Sequence, residues 1–468
     1  MLPRLSAFLI LLAVTIAAHA AEFRLATFSV DVTIPMGHPC MGGGIAPAKE
    51  VADPLFAKGF VLIGGDKPVV LAAFDWCEIR GTSFEKWKQA LAEAAGTDAQ
   101  HVLVTATHAH DAPVMDEDAE KLLRDMEATG AWKNIPSPDP KAPIQVASVC
   151  QPAFNEECLR KVAAAVKESL AHTVHVTHFG TGRAKVDRIA SNRRFFTSAG
   201  RLSYGRYSRS ADKEAQDADE GTIDPWLRTL SFWDGDRPLC AVHNYAVHPM
   251  SSYGNGMVSA DFPGEARAAM QQAHAETLQI YTTGCAGNVT AGKYNTGALA
   301  NRAVLAGRLH DAMEAAWKDT QRVPLTHLDF KLTLMPLGAR NTPEHTEAIL
   351  RQRLAEGVRP FSRSEAAMGL AWYERVKRGH RVEIPAIEFD REHVLMLLPA
   401  EAYVEFQLFA QECRPDSFMM VMGYGECGPG YIPIDRAFEE NDQNLNDWAW
   451  TPPGSEAVMK AAIREVLK

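Results

Sequence analysis

The sequence predicts an α/β fold in one large domain, with strands that end in ligand-bearing loops. Three observations predict it. Short apolar runs rich in β-branched residues alternate with longer stretches of helical periodicity. Several of those runs end in His, Glu or Tyr beside turn residues. No internal repeat, low-complexity tract or linker divides the chain.

Taken in order, FVLIGGDKPVVLAAFDW reads as a hairpin turning on Gly-Gly-Asp, and SFEKWKQALAEAAG follows as a helix closed by Gly96. HVLVTATH is then a buried strand. Helical periodicity recurs in NEECLRKVAAAVKESLAH, PGEARAAMQQAHAE, GALANRAVLAGRLHDAMEAAWKD and RSEAAMGLAWYERVKRG. Between these, TLSFWDG, PLCAVHNYAVHP, LQIYTTG, LDFKLTLMPL and HVLMLLPAE read as strands.

Composition bounds what such a domain does. With 468 residues, 46% of them hydrophobic and 23% charged, the chain is ample for a sizeable core. A formal net charge of -10 argues against nucleic acid as a partner, because phosphate binding needs a basic face. The opening MLPRLSAFLILLAVTIAAHAAEF has the layout of a cleavable signal peptide over residues 1–20, which leaves 21–468 as the mature domain, secreted or periplasmic. Its apolar run is short of the roughly 20 residues a membrane span needs.

Eight cysteines fit an oxidising compartment without forming a dense framework. Cys150 with Cys158 and Cys413 with Cys427 are the local pairs to test as disulfides, against the reading that most are buried thiols. Residues 114–152, acidic and then rich in Pro, Ser and Lys, read as an insertion placed to act as a lid, or equally as a surface excursion.

The chemistry starts at THAHDAP. Alternation along an extended segment points His108 and His110 to one side just where strand gives way to loop, an address at which proteins hold metals. His248 ends the strand CAVHNYAVHP, Glu401 follows a strand and a proline, and Tyr431 lies on the Gly-rich stretch GYGECGPGYIP. Singly these are weak signals. Such a histidine is more often structural, Glu401 equally caps the next helix, and Tyr431 equally packs a loop.

The order and wording of these pieces resemble the neutral, non-lysosomal ceramidase family, in its catalytic N-terminal domain. THAHDAP resembles that family's THTHSGP, and NYAVHPMSSYGNGMVSADFPGEA its NWFAxHxxSMNNxNxLxxxDNxGxA. GCAGNVTAG resembles the GNxSPN loop and LLPAEAYVEF the PGExxxE segment, while SVDVTIPMGHPCMGGG resembles the family's opening. Carried over motif by motif, the resemblance implies zinc held by His108, His248, Glu401 and Tyr431. It also implies Arg193, narrowly ahead of Arg194, as the arginine that meets the substrate carbonyl.

An open zinc site of this kind activates water for attack on an acyl carbonyl. His110, facing the same way and not needed as a ligand, is suited to pass the proton to the leaving amine, or else serves as an outer hydrogen-bonding partner. The expected function is thus an exported zinc amidohydrolase that cleaves the N-acyl bond of ceramide or a related acylated amine.

Departures from the family keep other readings open. Thr290 stands where the family has the serine once proposed as nucleophile, Ala291 replaces the usual Pro, and Asp111 replaces a Ser. The stretch IPIDRAFEENDQNL lacks tyrosines usual there, and SEAVMKAAIREVLK stands in place of the family's C-terminal immunoglobulin-like domain. The alternatives are a zinc hydrolase of the same fold acting on another amide, ester or phosphate, and a binding protein without turnover. A lipid substrate implies transient contact with a membrane surface, although no amphipathic anchor is evident.

Overall fold

The computed structural model describes residues 22–130 and 146–468; the signal-peptide expectation for 1–20 and the centre of the 114–152 segment fall outside the described residues. Three sheets organise the domain. The first runs Val102–Ala106, Val69–Phe74, Phe56–Ile63, Arg24–Asp31 and Val174–His175. The second runs Leu278–Thr283, Arg237–Tyr245, Trp226–Asp234, His178–Lys185 and Gln321–Pro324. The third runs Phe418–Met422, His393–Leu397, Val382–Asp390 and Asp329–Met335.

These sheets share one topology, so the reading of a chain without internal repeats is corrected at the level of structure. In each, two antiparallel pairings lead through a hairpin into a third strand, then a helix crosses over to a fourth strand parallel to the third. The crossover helices are Gly81–Ala95, Asp261–Ala273 and Val404–Cys413. Each parallel pair ends in register, at Phe74 with Ala106, Tyr245 with Thr283, and Leu397 with Met422. Connections of very different length between the first two strands of each unit hide the repetition in the sequence.

Period-two alternation explains how the sheets pack. Phe60, Phe232 and Phe389, one from each sheet, point into a shared core with Leu103, Val242, Ile280, Leu395 and Met420. Phe232 lies between the other two, with ring centroids 5.2 Å from Phe60 and 5.9 Å from Phe389. The opposite faces carry helices: Trp87 and Leu91 of Gly81–Ala95 lie against the first sheet's Val70, Ala72 and Val104 in a second core. The helix ends where the sequence says, at Gly96 with φ +69°, a conformation that glycine reaches without a Cβ penalty.

The parallel edges of the three sheets meet, and their ends interlock. Ala106 N–H donates to Tyr424 O, Gly423 N–H to Thr283 O, and the Thr283 hydroxyl to Thr107 O, which closes a ring through all three units. The C-terminal strand ends of every unit therefore face one centre.

One local expectation changes, and one segment gains detail. Within 114–152, Val114–Met115 pairs with Glu78–Ile79, and Glu117–Ala128 is a helix capped by the Asp116 carboxylate, with Ala119 and Leu123 buried. The eight cysteines are all free thiols, so neither Cys150 with Cys158 nor Cys413 with Cys427 forms a disulfide. Cys427 is sealed beside the centre, its thiol donating to Gly425 O, while Cys413 ends a helix at a half-buried position. No helix among the described residues is long and apolar enough to cross a membrane.

Candidate metal centre

His108, His248 and Glu401 reach the centre from three different units. His108 lies two residues beyond Val102–Ala106, its amide bound to Trp76 O at 2.9 Å and its φ at +69°. The left-handed turn, rather than simple alternation along a strand, is what brings His108 and His110 to one side; their rings stand 5.1 Å apart and nearly perpendicular. His248 follows Arg237–Tyr245, with its amide on Val289 O at 3.0 Å. Glu401 opens a two-residue parallel bridge with Tyr431, just after Ala400 at φ +54°.

Proton placement makes this a donor set. His108 Nδ1 is 3.0 Å from Cys77 O and His248 Nδ1 is 2.6 Å from Ala286 O. Carbonyl oxygens only accept, so each Nδ1 carries the hydrogen and each Nε2 of a neutral ring presents its lone pair. Both Nε2 atoms face the same Glu401 Oε2, at 3.2 Å and 3.0 Å. Three acceptors this close repel one another unless a cation or proton lies between them. Their spacing is near the roughly 3.3 Å edge of a tetrahedron with about 2 Å bonds, and histidines with Nδ1–H on backbone carbonyls are the usual metal arrangement.

The residues therefore fit a divalent cation. All three are at least 97% buried. Burial opposes charge on Glu401 and His108, but their mutual attraction outweighs it, holding the carboxyl well below its usual range and raising His108. Burial and the Arg193 cation push His248 down to about 4, so its imidazole stays neutral.

Tyr431 and Arg193 flank the set. Arg193 Nη1 donates to Tyr431 Oη at 2.8 Å and to Asn444 Oδ1 at 3.1 Å, while Nη2 lies 3.3 Å from His248 Nε2. The Tyr431 hydroxyl also bonds Glu401, and burial raises it far above an ordinary phenol. Arg194, the next residue, points the other way and grips Glu440 with two bonds of 2.6 Å. His110 faces the centre with both ring nitrogens unpartnered, and burial with the neighbouring imidazoles holds it well below its usual value. Asp111 reaches past it to Gly254 N–H at 2.8 Å, which keeps the Tyr253 ring 4.8 Å from that of His110.

Thr290 is placed elsewhere. Its hydroxyl donates to Tyr207 O at 2.7 Å and accepts from Gly292 N–H, and it does not line the cavity. It pins the backbone that carries Tyr207 and Ser208 to the rim. A cavity of about 280 Å³ opens onto the centre, walled by Met41, Met250, Phe361 and Trp448 and edged by Gln443 and Asp447. The Trp448 indole is fixed by Glu78 Oε1 at 3.1 Å, and Glu78 in turn is held by Arg80.

Three groups at the centre escape a reading of motifs: Cys77 on the cavity wall, Glu78 beneath it, and Tyr424 stacked on His108 with centroids 4.4 Å apart. A strand followed by FDWCE, and a tyrosine between two glycines, were the available signals.

No protein-family model matches the chain, and no curated protein matches its sequence. Solved structures do. A neutral ceramidase from Pseudomonas aeruginosa superposes with a TM-score of 0.65 at 16% identity, over 96% of this chain and 74% of that one. A ceramidase complexed with C2 gives 0.66 at 15% identity, over 96% and 75%. The chain thus has the α/β fold shared by these ceramidase structures.

Proposed function

We propose that this chain is an exported, zinc-dependent amidohydrolase that cleaves the N-acyl bond of ceramide or a related acylated amine. The observation that carries this reading is the buried convergence of His108 Nε2, His248 Nε2 and Glu401 Oε2 beneath a cavity that Arg193 and His110 also face. The fold's likeness to ceramidases supports the substrate class.

Zinc held by His108, His248, Glu401 and Tyr431 would supply Lewis acidity, polarising a carbonyl and acidifying water. The chain's own groups do the rest. Arg193 has five N–H donors; two are engaged at Nη1 and Nε is sealed, which leaves Nη2, beside His248, to donate to the acyl oxygen as it gains charge. Neutral His110, with no competing partner, is placed to take at one ring nitrogen the proton lost by the attacking water and to return it to the amine nitrogen as the C–N bond breaks. Met41, Met250, Phe361 and Trp448 shed water from that transfer.

Residues 1–20 as a cleaved signal and 21–468 as the catalytic domain complete the proposal, with the enzyme secreted or periplasmic. A second reading, a hydrolase of the same fold for another amide, ester or phosphate, is favoured by the cavity: about 280 Å³ suits a compact group at the reacting end. Hydrolysis of a fluorogenic ceramide by purified protein, before chelation, after it and after zinc is restored, tests the first reading. Zinc-dependent release supports it. Bound zinc with no ceramide release, but turnover of a smaller amide or ester, selects the second.

A further inference from the structure

We propose that the Tyr424 hydroxyl is a further oxygen donor to the cation held by His108, His248 and Glu401. The inference rests on the metal-centre reading above and deepens it. It begins from the repeated units, in which the parallel strands end level at Phe74 with Ala106 and at Leu397 with Met422. Two residues past the fourth strand, the first unit places His108 and the third places Tyr424. Tyr424 thus occupies in its unit the position of a ligand in another.

Backbone conformation strengthens the equivalence. His108 has φ +69° and Tyr424 φ +55°, a left-handed conformation that costs a bulky residue on the order of 1–3 kcal/mol and persists where the surroundings enforce it. Here they do. Tyr424 N–H donates to Ala400 O, next to Glu401, and Tyr424 O accepts from Ala106 N–H, on the strand that leads to His108. The tyrosine is clamped by both ligand-bearing segments.

Its ring lies 24° from parallel to the His108 imidazole at 4.4 Å, and 6.2 Å from that of His248. A phenylalanine would stack equally well. What the tyrosine adds is an oxygen that is sealed from solvent and has no hydrogen-bond partner among the described residues. A buried hydroxyl left unpaired costs on the order of 1–3 kcal/mol, so native structures rarely keep one without a role. Tyr424 is not part of the cavity lining, which removes substrate and bulk water as partners. After burial itself, the groups acting electrostatically on the hydroxyl are Glu401, Tyr431, Arg193 and Cys427, the first three of which surround the proposed cation. Phenol oxygen is a donor that zinc accepts alongside imidazole and carboxylate.

The experiment is zinc affinity, by chelator competition, of full-length Tyr424→Phe beside wild type, with thermal unfolding of both apo proteins. The expected result is a dissociation constant raised at least tenfold, with an apo unfolding midpoint equal to wild type or higher. A purely structural tyrosine would give the opposite pattern, and affinity within threefold of wild type overturns the proposal. Tyr431→Phe loaded with Cu(II) is the independent arm. Retention of a visible phenolate-to-copper band is expected, and its absence also overturns the proposal. Wild type that binds no zinc defeats the metal-centre reading itself, whereas unchanged affinity in Tyr424→Phe removes Tyr424 alone.

Discussion

Arg193 and Arg194 are adjacent in sequence yet make opposite connections, and the contrast yields a sharp prediction. Arg193 is 4% exposed and spends its guanidinium on Tyr431 Oη, Asn444 Oδ1 and the His248 edge. Arg194 forms a partly exposed bidentate pair with Glu440. Lysine in place of Arg193 keeps the charge but loses the planar fork, so a single nitrogen replaces the two that hold Tyr431 and Asn444 on one side and meet a substrate oxygen on the other. Loss of one donor to a developing oxyanion costs about 2.7–4 kcal/mol, or about 10²–10³ in kcat. Exposed pairs are worth about 0.2–1 kcal/mol, and Arg194→Lys retains the charge. The expected outcome is a fall of about 10²-fold or more in kcat/KM for Arg193→Lys and less than about threefold for Arg194→Lys. The assay is steady-state hydrolysis of the same acylated amine by zinc-loaded proteins of matched metal content. Equal losses in the two variants, or Arg193→Lys within threefold of wild type, would refute the reasoning.

Three further outcomes follow from the architecture. Gly423→Ala sets a Cβ 2.8 Å from Gly284 O in the ring of strand ends, so denaturant unfolding should show a loss of about 1–3 kcal/mol, together with weaker zinc binding. Phe232→Ala, which empties the position between Phe60 and Phe389, should cost about 3–5 kcal/mol by the same method. Burial lowers Lys58 from 10.5 to about 8, and at 1.36 kcal/mol per pH unit its charge is unfavourable by about 3 kcal/mol. Because the unfolded chain binds that proton more readily, stability from this group rises with pH between about 8 and 10.5. Lys58→Met should therefore be more stable than wild type at pH 7, and the difference should shrink by pH 10.

Much of the fold was legible because buried strands and amphipathic helices leave period-two and period-3.6 signals. FVLIGGDKPVVLAAF became Phe56–Ile63 and Val69–Phe74, and RSEAAMGLAWYERVKRG falls within and just beyond Pro360–Lys377. The threefold repetition was not legible, since each unit fills the same topology with different side chains and joins its first strands by unrelated segments. The centre was legible where polar residues follow strands, as at His108, His248 and Glu401. Tyr424 was not, because its role depends on a left-handed turn and a stacked neighbour, neither of which has a spacing to detect. Thr290 was picked out through a motif, yet its hydroxyl is taken up by the Tyr207 backbone.

The central claim is that three units of one fold deliver a single metal site, and equilibrium zinc binding tests it most directly. Wild type is predicted to hold one zinc per chain, with binding lost or severely weakened in each of His108→Ala, His248→Ala and Glu401→Gln. Zinc retained at full affinity in any of these variants, or absent from wild type, would contradict the account.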